Sequence, residues 1–433
     1  MMKTNKYLPQ LVCVLAVLPC LPASAANELV LQLETALTRD TNPLRFTDQA
    51  NTDPGLVSSA QKQADTVAAA DLRFGAIVPV LSDQTRLVLT GSLGNRHYKN
   101  YSQLDHQTGG ADLAFDWVAG HALSGRISAG KSKRLFQYIN GSLTERDLSH
   151  EQRAGSDWRL RINNDFLLAA SLSRSGLDYD LPVNQLYNFR EHSKQAGLRY
   201  TSTTGSMLEG GLRWSDTEFP QRTEAQITQL DRAYKEREAY LDAEWNYSVK
   251  TVFSTHLGLI KRSYETLSER DTNLLNTIVR GTYLYSPQLR FDLQLFDRPF
   301  SIVDPAILYV QTKGIRLDSS WKYSPKLQWN ASVLWQDSDQ KLIPRFDTAA
   351  ALQSRKEKLQ RLGFGGSYLI DRGFRLFLDS AYERTQREAD GVQLKQAIIK
   401  LGFEYTYENI AGSAARMGLN RYQQFYSATE ATK

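Results

Sequence analysis

The chain has 433 residues, 23% of them charged, with a formal net charge of +5 and a mean hydropathy of −0.44. So small a net charge at this length argues against a general nucleic-acid binder. No stretch beyond the first residues approaches ~18 consecutive apolar positions, which excludes a helical membrane protein.

Residues 1–25 read as a secretory signal. Lys3 and Lys6 form a basic start, Leu8 to Leu21 an apolar middle, and Ala23-Ser24-Ala25 a cleavage site. The apolar middle falls short of the ~20 residues that span a bilayer, so an uncleaved anchor is the weaker reading. Lipid attachment at Cys20 is weaker too, because Pro19 stands where a small residue is wanted. Cys13 and Cys20 both lie in this segment, so a mature chain from Ala26 has no disulfide, thiolate metal site or cysteine nucleophile.

From there on, apolar residues recur at every second position, the period of a strand with one face in lipid. Leu29, Leu31, Leu33 and Leu37 alternate with Gln32, Glu34 and Thr38; Leu72, Phe74, Ala76 and Val78 with Asp71 and Arg73. The theme repeats with Leu113, Phe115 and Trp117, with Trp158 and Leu160, with Leu212 and Trp214, and with Leu241 and Trp245. It is clearest over Leu289 to Asp297, then over Ile315 to Tyr323, Leu327 to Trp335, Phe374 to Tyr382 and Ile399 to Tyr405. A helix would mix the two sets on every face.

Short turns are expected near Ser82, Gly120, Asn163, Gly205, Ser248, Pro287, Pro325 and Arg372, with longer polar loops between them. Tyr285-Ser286-Pro287-Gln288 and Tyr323-Ser324-Pro325-Lys326 are near-copies. The implied fold is all-β: an antiparallel transmembrane β-barrel of about 18 strands (about 16–20) over residues 26–408, in the bacterial outer membrane with both termini in the periplasm. A propeller or solenoid explains less well why Trp and Tyr stand beside short turns. Residues 409–433 read as a C-terminal tail, a last strand or a lumen plug.

A barrel of this size encloses an aqueous lumen. Candidate lumen charges are Arg73, Arg126, Arg159, Arg199, Arg213, Asp242, Arg290, Asp292, Arg316, Asp318, Arg375 and Asp379. They are mixed in sign, which argues against a strongly ion-selective ring. Most are expected to pair across strands and solvate the wall. The segment Lys131 to His150 carries charges of both signs and could fold inward as a constriction. Tyr98, Tyr101, Phe136 and Tyr138 stand beside basic residues and are candidate sugar contacts, or else anchors at the membrane rim. No catalytic, metal or phosphate-loop motif is present, so neither an enzyme nor a cofactor site is expected.

Gly94-Asn95-Arg96-His97-Tyr98-Lys99-Asn100-Tyr101-Ser102-Gln103-Leu104-Asp105, followed by Ala111 to Trp117, resembles the early hairpin of the EpsL-type exopolysaccharide-operon barrels. Thr38 to Arg45 resembles that family's opening segment, and Asp157-Trp158-Arg159-Leu160 a third recurrent piece. The resemblance implies an outer-membrane barrel associated with exopolysaccharide export, as passage or accessory. Its implied partners are outer-membrane lipid, a polysaccharide chain, and periplasmic export and synthase components. The alternatives are a general diffusion porin for small hydrophilic solutes, and a structural or receptor barrel without transport.

Overall fold

The computed structural model describes residues 27–46, 64–82, 84–136, 145–300, 307–342, 356–388 and 391–419. The expected signal segment and Tyr138 lie outside the described residues. The strands are β1 Glu28–Asp40, β2 Asp65–Ser82, β3 Thr85–Tyr98, β4 His106–Ala119, β5 Leu123–Leu135 and β6 Leu148–Arg161. Next come β7 Phe166–Tyr179, β8 Phe189–Thr201, β9 Met207–Glu218, β10 Ala233–Ser248, β11 Thr251–Tyr264 and β12 Thr272–Ser286. The last six are β13 Leu289–Phe300, β14 Ile307–Lys322, β15 Leu327–Leu342, β16 Lys356–Asp371, β17 Phe374–Arg387 and β18 Gln393–Glu408. Each pairs antiparallel with its sequence neighbours in a single 18-stranded sheet. β18 closes onto β1 in unbroken register from Val30↔Glu408 to Asp40↔Ile398. Closure leaves no strand edge, and so no unpaired backbone row in hydrocarbon.

Alternation decides which face points where. On β1, Gln32, Glu34 and Ala36 are buried while Leu33, Thr35 and Leu37, which alternate with them, are exposed. The register carries this division around the wall: Gln32 faces Arg73, which faces Ser92, and Leu33 faces Leu72, which faces Leu93. Leu and aromatic rows therefore face outward, and the buried set among the described residues is more polar than apolar. All eight short turns fall where the sequence placed them. In the two Tyr-Ser-Pro turns the serine hydroxyl holds the chain. Ser286 Oγ accepts from the N–H of Gln288 and Leu289, and Ser324 Oγ from those of Lys326 and Leu327.

Two expectations need correction. β5 runs to Leu135 and β6 starts at Leu148, so Lys131 and Lys133 are on a strand and face outward opposite Ala111 and Gly109. Those two residues are therefore not part of an inward constriction; residues 137–144 of the segment lie outside the described residues. Nor do residues 409–419 form a strand. They make a short helix, α2 (Ser413–Arg416; α1 is Glu224–Leu230, between β9 and β10), and bring Ala414, Met417 and Leu419 against Val30. The Glu408 carboxylate accepts from the N–H of Gly412 and Ala414, and Arg416 pairs with Glu28 at 2.8 Å. Val30 points inward, so this segment lies on the lumen wall at the turn end.

The long loops are held by a recurring grip. Asp65, Asp147 and Asp231 stand where the chain enters β2, β6 and β10, and each is 0% exposed. Each grips the loop by which its hairpin is left. Asp65 accepts from the N–H of Asn100 and Tyr101, Asp147 from those of Asp180 and Leu181, and Asp231 from those of Thr266 and Leu267. The same three loops return a side chain to the strand end. The N–H groups of Tyr98, Tyr179 and Tyr264 donate to Asp105, Asn188 and Asp271.

Candidate functional site

The inner wall is the candidate site, and strand register assembles it. All twelve charges singled out above share the inward face of their strands. Ten of them stand in an ion pair. Arg73 reaches Glu34 at 3.5 Å, Arg126 reaches Asp116 at 3.5 Å, and Arg199 holds Glu209 at 2.6 Å. Arg290 and Arg316 each turn to the aspartate two positions on, Asp292 at 2.7 Å and Asp318 at 2.8 Å, while Arg375 reaches Glu404 at 3.4 Å. Asp379 is buried opposite Lys400, whose ammonium bonds Glu34 at 2.5 Å. Arg159 has no hydrogen-bond or ion-pair partner among the described residues. It lines a cavity of about 430 Å³ with Arg86, Asp116, Ser124, Arg126 and Asp157, on the inner wall near the turns.

The densest network spans β8 to β11. Arg213 pairs with Glu238 at 2.9 Å, and His256 sits between Asp242 at 2.7 Å and Glu238 at 3.4 Å. Tyr240 lies flat along the wall, accepting from Gln195 and donating to Glu209. It can do so because Gly197 and Gly211 lie beneath it: a Cβ on either would come within 2.5 Å of the Tyr240 hydroxyl. Glu209, Glu238 and Tyr240 are all buried. Such buried carboxylates are tolerable because cationic and hydroxyl partners lie against them, although Glu238 Oε1, 3.4 Å from His256, accepts no hydrogen bond.

At the loop end the aromatic candidates are engaged in packing. Tyr98 and Tyr101 lie against the buried cluster of Leu44, Phe46 and Leu104, and Phe136 meets Tyr179 edge-on at 5.1 Å. Neighbouring loops are also tied together. Arg222 donates to the carbonyls of Leu186, Leu230 and Asp231, and Arg270 to those of Gln229 and Ile307. Burial pushes the Arg222 guanidinium down to about 10. Burial also opposes ionisation of Asp231, but the N–H groups of Leu267, Thr266 and Arg232 outweigh it and hold the carboxyl below its ordinary range.

Outside, an apolar band meets a girdle of exposed rings at the turn end, among them Tyr200, Trp245, Tyr247, Tyr285, Trp321, Tyr323 and Tyr407. Half-polar rings suit the boundary between hydrocarbon and headgroups. The protein is a β-barrel of the bacterial outer membrane.

No family model and no curated protein matches the chain. Among solved structures it is similar to OccAB3 of Acinetobacter baumannii, at 9% identity and a TM-score of 0.48 over 89% of this chain and 100% of that one. It is similar to the outer membrane protein OpdK of Pseudomonas aeruginosa at 12% identity and 0.44, covering 88% and 99%. The ferric enterobactin receptor PfeA of the same organism gives 10% and 0.48, covering 88% and 80%. The closed strand register, not these likenesses, defines the fold.

Sequence reasoning missed Arg86, Glu238 and the gripping aspartates Asp65, Asp147 and Asp231. A signal for the last was present. Tyr98, Ser102 and Asp105 have the same spacing as Tyr264, Ser268 and Asp271.

Proposed function

We propose that the protein is a passive channel for small hydrophilic solutes across the outer membrane. One observation carries this reading: the closed wall turns amides and charged side chains of both signs inward, and faces apolar rows outward on every strand below the strand tops. A wall of 16 to 18 strands leaves room for water, and paired charges keep it wet without a strong bias toward either ion sign. The similarity to OccAB3 and OpdK is one of architecture and adds no substrate.

The resemblance to exopolysaccharide-operon barrels supports a second reading, in which a polysaccharide chain is the cargo or the barrel serves an export assembly. It rests on short sequence pieces alone. Of its candidate sugar contacts, Tyr98, Tyr101 and Phe136 are committed to loop packing.

Planar-bilayer conductance of the mature chain tests both. A steady, nearly ohmic conductance with a reversal potential close to zero in a salt gradient, indifferent to acidic polysaccharide, supports the solute channel. Block by polysaccharide at low concentration moves the second reading ahead. A chain that inserts and conducts nothing refutes both forms of passage.

A further inference from the structure

The outward face is asymmetric along the barrel axis. At the turn end, every charged side chain of the described wall points inward or lies in a turn, and the outer surface is rings and aliphatics. At the loop end the outer surface carries cations, most densely on β7 to β11. Register places Lys194 opposite Trp214, Trp214 opposite Arg237, and Arg237 opposite Lys261, in one row across four strands. Neighbouring strands lie ~4.8 Å apart, so the row spans roughly 14 Å. Arg174 and Lys235 stand two residues nearer the loops, on either side of the His192–Asp216 pair.

Lys194, Arg237, Lys261, Arg174 and Lys235 are exposed, and none has a hydrogen-bond or ion-pair partner among the described residues. Of the acids on this face, Asp178 is already held by Arg190 at 2.8 Å, leaving Asp216 and Glu218. Leu172 continues the row beside Lys194, and Leu212, Leu257 and Leu259 lie immediately below it, all exposed. Unpaired cations directly above a lipid-facing apolar surface are at headgroup depth. Long Lys and Arg side chains can lay their stems on the apolar rim and lift their charges to that plane.

We propose that this face binds the phosphate-bearing headgroup of an outer-leaflet glycolipid. Lys194, Arg237 and Lys261 hold phosphate oxygens through charge-assisted hydrogen bonds, and Trp214 packs between them against the sugar. The acyl chains lie on Leu172, Leu212, Leu257 and Leu259. Arg174 and Lys235 face the more distal part of the headgroup.

The test uses the full mature chain in detergent and bisphosphorylated lipid A as the probe, with bound lipid read by native mass spectrometry. The same lipid without its phosphates and inorganic phosphate are the comparisons. Binding should weaken about tenfold or more when the lipid loses its phosphates, and similarly in the triple variant Lys194→Gln, Arg237→Gln, Lys261→Gln. The pair Lys194→Arg and Lys261→Arg should keep it. Heat-dependent gel mobility reports whether each variant is folded. The dephosphorylated-lipid arm uses unaltered protein and decides the matter even where a variant fails to fold. Equal binding of the phosphate-free lipid, or a folded triple variant that binds like the original, overturns the proposal. Displacement of lipid A by an equal concentration of inorganic phosphate also overturns it, because the site would then be one for free anions.

Discussion

Replacing Asp231 by Asn should open the loop between β11 and β12 without unfolding the barrel. The carboxylate accepts from Thr266 and Leu267 at 2.8 Å each on one oxygen, and from Arg232 at 2.6 Å on the other. An Asn amide offers one acceptor, so either the Arg232 N–H or the pair on the loop must face an NH2 group. Hydrogen bonds to a charged acceptor contribute about 1.5–3 kcal/mol each, and losing the net equivalent of one puts the local cost at roughly 2–3 kcal/mol. Amide hydrogen exchange is the assay. If Thr266 and Leu267 exchange by local opening, their rates should rise roughly 30- to 150-fold, while amides in mid-β10 and mid-β11 keep theirs. The same bonds make a pH prediction. The folded carboxyl is held below its unfolded value, so its stabilisation is complete above the unfolded pKa and disappears as pH falls through the folded one. Protection of the two amides should therefore fall on acidification in the original protein and stay flat in the Asn variant. Unchanged exchange in Asp231→Asn would refute the grip as the loop's tether.

Truncation after Glu408 should raise single-channel conductance, because it strips α2, Met417 and Leu419 from the lumen wall; an unchanged conductance would mean the segment does not narrow the path. Leu401→Arg, on the exposed outer face, should cost about 2–4 kcal/mol in a lipid-based refolding titration if it sits near mid-bilayer, whereas Ser332→Arg on the inner face should fold with little loss. Gly211→Ala would put a Cβ 2.4 Å from the Ala196 carbonyl oxygen and 2.5 Å from the Tyr240 hydroxyl, so an unfolding free energy lower by about 1–3 kcal/mol is expected in a denaturant titration. Glu238→Gln leaves Arg213 and His256 without their shared carboxylate and should shift the reversal potential toward anions.

Strand number, the eight turns and the facing of the lumen charges were legible because alternation is local: Leu293 and Asp292 declare their sides within three residues. The strand tops were not. Near the loops the outward face turns polar, as at Lys131, Lys133, Lys235 and Arg237, and the contrast that marks a strand vanishes. That is why the loops looked longer than they are, and why the segment from Lys131 looked like a constriction. Pairings such as Arg213 with Glu238 depend on register between strands, which a single sequence does not display. The inward fold of residues 409–419 depends on Val30, almost 400 positions earlier.

The gripping aspartates recur at intervals of 82 and 84 residues, and four strands fill each interval. Each grip is wholly contained in one hairpin and the loop that follows it. A copied stretch of that length would thus arrive with its own fastening, needing no new contact from the rest of the wall. Widening such a barrel is a matter of adding finished staves, and only the meeting of β18 with β1 would have to be negotiated afresh.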